Sequence, residues 1–318
     1  FIGPLRPILP LLAGMLSMPL ARFTGISLIA AAGWAIAYVM PGWAVGAALD
    51  LSPPAGFWLQ AAWVASVLSL CIAISLWVCL RGWRTSSLVS ASVFAIALIT
   101  LMLSWQQLDI FDNYLHDLSQ MIRSSGLDHL MVVITRLGDF STQVVVSAIL
   151  CALLFFAKQF QALIFTTSTL FITAISNYAF KHFFERARPS VLLEPLNSFS
   201  FPSGHSASGF AFFLVLGVLA SRQQPQRWRV LWLLTALVPA LSIALSRVYL
   251  TAHWPTDILA GGLLASVICS LSLLLVQAKQ PIPALRQQHW KMIVPILLLT
   301  LAALLSWNLP DALHKYAY

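Results

Sequence analysis

The chain has 318 residues, 59% hydrophobic and 9% charged, with a formal net charge of +8 and a mean hydropathy of +0.86. Soluble domains run at about 45–50% apolar and about 25% charged residues, so a soluble globular fold is excluded and an all-α, polytopic membrane protein is expected. The positive charge does not point to a nucleic-acid partner, because its placement follows membrane topology.

In chain order, the sequence begins at Phe1 with no initiator Met and no basic stretch before an apolar core. No cleavable signal is expected, and the chain reads as lacking an N-terminal part. Apolar runs of roughly spanning length fall at 24–48, 56–80, 86–105, 141–157, 161–182, 206–221, 230–247, 255–276 and 292–308, which makes nine spans. Placing 81–85 in the cytoplasm also places 158–160, 222–229 and 277–291 there. Those loops carry Arg81, Arg84, Lys158, Arg222, Arg227, Arg229, Lys279, Arg286 and Lys291, while all ten acidic residues fall on the other side. The positive-inside rule selects this orientation. Cys71, Cys79, Cys151 and Cys269 lie within apolar runs, show no ligand spacing and read as packing residues.

Segment 106–140, QQLDIFDNYLHDLSQMIRSSGLDHLMVVITRLGDF, alternates charged and apolar positions at about helical spacing. It is expected to be an amphipathic, interfacial helix on the outer side, without a part in chemistry. His116 and His129 within it read as surface groups.

Lys181, Arg186, Arg188 and Arg247 stand against the charge rule, on the outer side beside span ends. Three polar clusters hold them. KHFFERARPS closes a span with Lys181 and runs on to Arg188 and Pro189. PSGHS opens the next span with Ser203, Gly204 and His205. In SRVYLTAHWPTD, Ser246 and Arg247 close a span, and His253 and Asp257 open another.

Lys181 offers a compact cation, and Arg188 and Arg247 offer planar forks matched to phosphate oxygens. Ser203 and Gly204 precede a helix, so their N–H groups and the helix N-terminus form an anion site. Gly204 lets the backbone approach closely. No cluster of carboxylates is present to hold Mg²⁺, so phosphate bound without metal or cofactor is expected. Asp257 lies four residues after His253, within reach around a first turn that tolerates Pro255. A carboxylate on one ring nitrogen fixes the tautomer and leaves the other free as a nucleophile. His205 then serves as general acid for the leaving oxygen. Each feature alone has a plainer reading: His205 as a helix-terminal residue, His253 and Asp257 as a structural pair, Glu185 and Arg186 as a local ion pair or rim charges. GHSAS falls short of the G-x-S-x-G elbow, since Ser208 holds the last glycine position and no sheet pattern supplies the strand-to-helix turn.

K-x6-RP, PSGH and S-R-x5-H-x3-D, in this order, resemble the three motifs of the type 2 phosphatidic acid phosphatase superfamily, which includes vanadium haloperoxidases. Lys181, Arg188, Pro189, Ser203, Gly204, His205, Ser246, Arg247, His253 and Asp257 match without a departure. The resemblance covers about residues 86–278 and implies a six-helix core with its site at one membrane face. It implies a phosphohistidine on His253, oriented by Asp257, with His205 as acid. Lys181, Arg188, Ser203, Gly204 and Arg247 would hold the phosphoryl oxygens.

The opening residues, FIGPLRPILPLLAGMLSMPLARFTGISLIAAAGW, resemble the second half of the DedA (SNARE-associated, VTT) membrane family, through Arg6, Pro7, Pro10, Ala13, Gly14, Met18, Phe23, Gly33 and Trp34. Members of that family are associated with moving polyprenyl-phosphate or phospholipid carriers across membranes. The expected organisation is a partial DedA-like segment over 1–80, a phosphatase domain over 86–278, and an extra helix and tail over 279–318. The two resemblances together imply a lipid phosphatase of the bilayer, with its site on the outer membrane face. Its substrate would be undecaprenyl diphosphate, phosphatidylglycerol phosphate or phosphatidic acid. A phosphotransferase using the same site and a lipid-carrier transporter are the alternative readings.

Overall fold

The computed structural model describes residues 52–81, 85–189, 198–278 and 281–307, together with Pro19, Thr24 and Gly25. The chain falls into two compact units, Phe1–Pro53 and Pro54–Tyr318. The expected span 24–48, apart from Thr24 and Gly25, lies outside the described residues. So do the DedA-like positions Arg6, Pro7, Pro10, Ala13, Gly14, Met18, Phe23, Gly33 and Trp34, and the tail 309–318.

The described residues of the second unit are helical, without a strand. Lipid offers no partner to a backbone N–H or C=O, so each apolar run satisfies its own backbone as a helix. The elements are α1 (Phe57–Arg81), α2 (Ser86–Ser104), a 3₁₀ turn (Trp105–Leu108), α3 (Asp109–Met121), α4 (Ser125–Arg136) and α5 (Phe140–Phe156). They continue with α6 (Phe160–Phe184), α7 (Gly204–Ser221), α8 (Gln226–Tyr249), α9 (Pro255–Gln277) and α10 (Gln287–Trp307). Among the described residues seven helical stretches are long and apolar enough to cross a membrane, and α4 with α5 passes as a pair bent by 44°. The expected runs from 56–80 to 292–308 each coincide with one of these helices. This is a multi-pass membrane protein.

Segment 106–140 departs from the expected single interfacial helix. It is a 3₁₀ turn followed by α3 and α4, with a break at Ile122–Ser124. Its polar residues are not all at the surface: Asp112, His116, Thr135 and Arg136 are buried, while His129 is exposed as expected. The reason is that this segment lies across the end of the bundle where α6 and α8 finish and α7 and α9 begin. Its carboxylates and hydroxyl find partners there.

Small residues let these helices close up, which is how lipid-embedded helices gain packing contacts. A Cβ on Gly217 of α7 would sit 2.7 Å from Ala236 Cβ of α8. On Gly261 of α9 it would sit 2.7 Å from the Ser203 carbonyl oxygen, at the start of α7. The second contact seats the second turn of α9 directly against the N-terminus of α7. Two apolar clusters form much of the core among the described residues. One joins Leu150, Leu154, Phe165, Phe212 and Leu219 across α5, α6 and α7. The other joins Leu98, Leu101, Leu263, Leu264 and Ile268 across α2 and α9. At the opposite end of the bundle, Gln226 and Arg229 donate to the carbonyls of Leu80 and Cys79, groups that the last turn of α1 leaves without helical partners.

Candidate active site

Two left-handed residues shape the connections that reach the polar end. Glu185 (φ 47°) terminates α6 and donates its N–H to the Lys181 carbonyl. The chain then turns back, and Arg186 and Arg188 lie over the helix ends. Thr251 (φ 53°) sits in the turn after α8. There Ala252 and His253 both donate their N–H groups to the Arg247 carbonyl. A non-glycine residue in this region is costly and concentrates at functional sites. Here the turn returns His253 beneath the end of its own preceding helix.

His253 is fully buried and held from both sides of its ring. Nδ1 lies 3.2 Å from Asp257 Oδ2, and Nε2 lies 2.9 Å from Arg188 Nη1. A guanidinium can only donate and an ionised carboxylate can only accept, so Nδ1 carries the proton and Nε2 the lone pair. Burial pushes His253 well below the ordinary imidazole value, and the positive charges of Arg188, Arg247 and Lys181 push the same way. The ring is thus held neutral, with its proton on Nδ1. Asp257 Oδ2 also accepts from the Ser200 hydroxyl and, at 2.9 Å, from the Trp254 N–H. A carboxylate at the third helical position that takes the cap residue's N–H is one arm of a capping box.

Arg188 donates to the carbonyls of Ser198 and Ala252, each at 2.7 Å, and to the Ser198 hydroxyl at 2.8 Å. Lys181 Nζ donates to the carbonyls of Phe199 and Ser200. Arg247 is buried, and its Nη1 donates to Thr135 Oγ1 at 3.0 Å. The three expected cations thus converge on one region, where all of them act electrostatically on His253.

The N-terminus of α7 supplies the next part. Ser203 is its cap and accepts from Ser206 N and Ser206 Oγ. The N–H of Ser203 itself donates to the Asp257 carbonyl at 3.0 Å, so this donor is engaged and the expected anion cradle narrows. The N–H groups of Gly204 and His205, in the first turn, have no carbonyl of their own helix to reach. A Cβ on Gly204 would meet Asn177 Oδ1 at 3.3 Å, so glycine keeps α6 and this helix end close. His205 Nε2 pairs with Asp139 Oδ1 at 2.9 Å, an interaction the sequence motifs do not contain.

Arg186 differs most from its sequence reading. Instead of pairing locally with Glu185 or lining the rim, it turns inward. Nη1 donates to Asp257 Oδ1 at 2.8 Å and to Thr256 Oγ1 at 2.7 Å, and Nη2 donates to Asp112 Oδ2 at 2.7 Å. His116, expected at the surface, packs its ring 5.2 Å from that of Trp254. No group of three or more His, Cys, Asp or Glu side chains among the described residues is disposed to hold a metal ion.

The arrangement offers a neutral imidazole nitrogen, two guanidinium groups and an ammonium, a helix N-terminus, and a second imidazole paired with a carboxylate. It suits binding of a tetrahedral anion and transfer of its central atom to His253 Nε2.

Comparison with known proteins gives a consistent result. The model of the PAP2 superfamily matches residues 161–281. An undecaprenyl-diphosphatase of Sulfolobus acidocaldarius is 31% identical over 169 residues, covering 51% of this chain and 76% of that protein. The crystal structure of a transmembrane PAP2 type phosphatidylglycerolphosphate phosphatase from Bacillus subtilis superposes with a TM-score of 0.50 at 26% identity, covering 57% of this chain and 93% of that one. The N-terminal part matches the inner membrane protein YabI of Escherichia coli, 36% identical over 86 residues. That match takes in 27% of this chain, which spans only 33% of YabI.

Proposed function

Since the chain belongs to the PAP2 superfamily, we propose that it is an integral membrane phosphatase acting on a lipid phosphate or diphosphate through a phosphohistidine. The observation that carries this reading is His253, with Nδ1 against Asp257 and Nε2 against Arg188. Nε2 attacks phosphorus, forming a P–N bond as the P–O bond to the lipid breaks. His205 gives a proton to the departing oxygen. A water molecule, deprotonated by His205, then cleaves the P–N bond and releases inorganic phosphate. Lys181, Arg188, Arg247 and the N–H groups of Gly204 and His205 take the charge that develops on the phosphoryl oxygens. No metal ion is required by this donor set.

The phosphate subsite lies at the end of a bundle of apolar helices, so a ligand with a phosphate head and an acyl or prenyl tail fits both phases. Undecaprenyl diphosphate, phosphatidylglycerol phosphate and phosphatidic acid are the candidate substrates. The named activities of two relatives support the first two. The basic loops belong to the opposite end of the helices, and the positive-inside rule therefore supports a site on the extracytoplasmic face of a bacterial inner membrane. The YabI-like N-terminal part supports a DedA-type segment fused ahead of the phosphatase. The test is phosphate release from a panel of lipid phosphates in fixed detergent with EDTA present. The wild-type chain is expected to turn over at least one of them, and His253→Ala none. Full activity in that variant removes the mechanism.

A further inference from the structure

Behind the His253–Asp257 pair the structure holds a second ion-pair system that no motif includes. We propose that Arg186 and Asp112 are positioning residues, which fix Asp257 and through it aim His253 Nε2 at phosphorus; this rests on the lipid-phosphatase reading above.

Asp257 is gripped at both oxygens. Oδ2 takes His253 Nδ1, Ser200 Oγ and the Trp254 N–H, while Oδ1 takes Arg186 Nη1 at 2.8 Å. The other end of the same guanidinium holds Asp112 Oδ2 at 2.7 Å. Asp112 in turn accepts from Thr256 N at 2.9 Å and Thr256 Oγ1 at 2.6 Å, so it is anchored to the helical turn that carries Asp257. The Arg186 guanidinium also lies over the ring of Trp105, 4.3 Å from its centroid, with the Trp254 ring at 5.5 Å. A planar fork fixed at two ends and on its face cannot rotate. Neither can the carboxylate it holds, and the imidazole inherits that orientation.

The charges have the same logic. Asp112 and Asp257 are both buried, at 1% and 0% exposure. One arginine between two buried carboxylates leaves one negative charge on the side of His253 that faces away from the phosphate cations. That charge stabilises the ring as it becomes a positively charged phosphohistidine. A strut serving stability alone would not need its fork aimed at the outer oxygen of the carboxylate that orients the nucleophile.

The experiment compares Arg186→Lys, which keeps the charge but cannot bridge both carboxylates, with the double variant Arg186→Met/Asp112→Asn, which removes the cation together with one carboxylate. In both, kcat is expected to fall by about 10- to 100-fold, as for a misaimed reacting group, with KM within about threefold of wild type. The melting temperature in detergent is expected to stay within about 4 °C. In an Asp257→Asn background Arg186→Lys should cost little more, because both act through one carboxylate. Orthovanadate, a mimic of five-coordinate phosphorus that needs no lipid, provides a second reading. Its thermal stabilisation of the wild-type protein should be lost in Arg186→Lys. A change in KM alone, additive losses with Asp257→Asn, or vanadate stabilisation equal to wild type overturns the inference. Should the wild-type protein hydrolyse no lipid phosphate yet respond to vanadate, the substrate reading falls and the vanadate comparison still decides the positioning role.

Discussion

His205 Nε2 lies 2.9 Å from Oδ1 of Asp139, a residue 66 positions earlier on the loop between α4 and α5. The carboxylate accepts from Nε2 and so fixes the orientation of the ring. With Nε2 as the donor to Asp139, Nδ1 is the nitrogen left to exchange a proton with the leaving oxygen in the mechanism proposed above, and the pair has the same imidazole–carboxylate make-up as His253 with Asp257.

Asp139→Asn therefore removes orientation and charge from the acid. General acid–base catalysis contributes about 10²–10⁴-fold, and we expect kcat on a lipid phosphate monoester to fall within that range. An aryl phosphate, whose leaving group needs no proton, should lose far less. Steady-state kinetics on the two substrates side by side provide the check. Equal losses on both would show that Asp139 does not act through the acid.

The pH profile follows from His253. Burial and then the Arg188 charge hold its pKa well below the ordinary imidazole value of 6.5, so the lone pair on Nε2 survives below that pH. The sign is fixed: a lowered pKa keeps the nucleophile deprotonated on the acid side. The acid limb of kcat/KM, which reports the free enzyme, should then lie below pH 6.5. Arg188→Gln removes the largest of the electrostatic contributions to that lowering. Its residual activity should show an acid limb moved to higher pH. An unmoved limb would mean that a different group titrates there.

Several features were legible from residue order alone. Long apolar runs left little choice but helices. Polar clusters at the ends of alternate runs could share one face only if those runs crossed a bilayer. Lys181, Arg188, His205, Arg247, His253 and Asp257, which gather at one end of the bundle, were singled out in this way. Arg186, Asp112, Asp139 and Thr135 were not, and the reason is physical. Asp112, Thr135 and Asp139 sit in a stretch that satisfies an amphipathic surface pattern as well as a buried one, and Arg186 stands next to Glu185, which offers a local ion pair. The partners lie far along the chain, 74 positions for Arg186 with Asp112 and 112 for Arg247 with Thr135. Periodicity carries no information at that range. The signal available was weaker: acidic residues facing the same end of the bundle as four unexplained cations.

Gly261 tests whether helix seating sets the site. A Cβ there would lie 2.7 Å from Ser203 O and 3.0 Å from Ala207 N, both backbone atoms of the α7 start. Gly217 on α7 is equally tight against Ala236, 2.7 Å, but lies two turns or more from the site residues of that helix. Overpacking of this kind costs about 1–3 kcal/mol, so both alanine variants should melt earlier than wild type. Gly261→Ala should in addition lose most of its turnover, because it lifts the α7 N-terminus from Asp257. Gly217→Ala should keep the greater part of its own. Thermal melts paired with kcat measurements separate the two effects.

Thr135 holds Arg247 in place from α4. Its hydroxyl accepts from Arg247 Nη1 at 3.0 Å within a buried environment. Valine keeps the shape and removes the acceptor. A hydrogen bond to a charged group is worth about 1.5–3 kcal/mol when it is lost, and Arg247 is then less firmly aimed at the phosphate subsite. The expected effect is on phosphate affinity, since Arg247 neither attacks nor donates the proton. Inorganic phosphate should inhibit Thr135→Val about tenfold more weakly than wild type, the equivalent of about 1.4 kcal/mol, with a parallel rise in KM and a smaller change in kcat. A fall in kcat at unchanged phosphate inhibition would instead place Arg247 on the reaction coordinate, stabilising charge that exists only in the transition state.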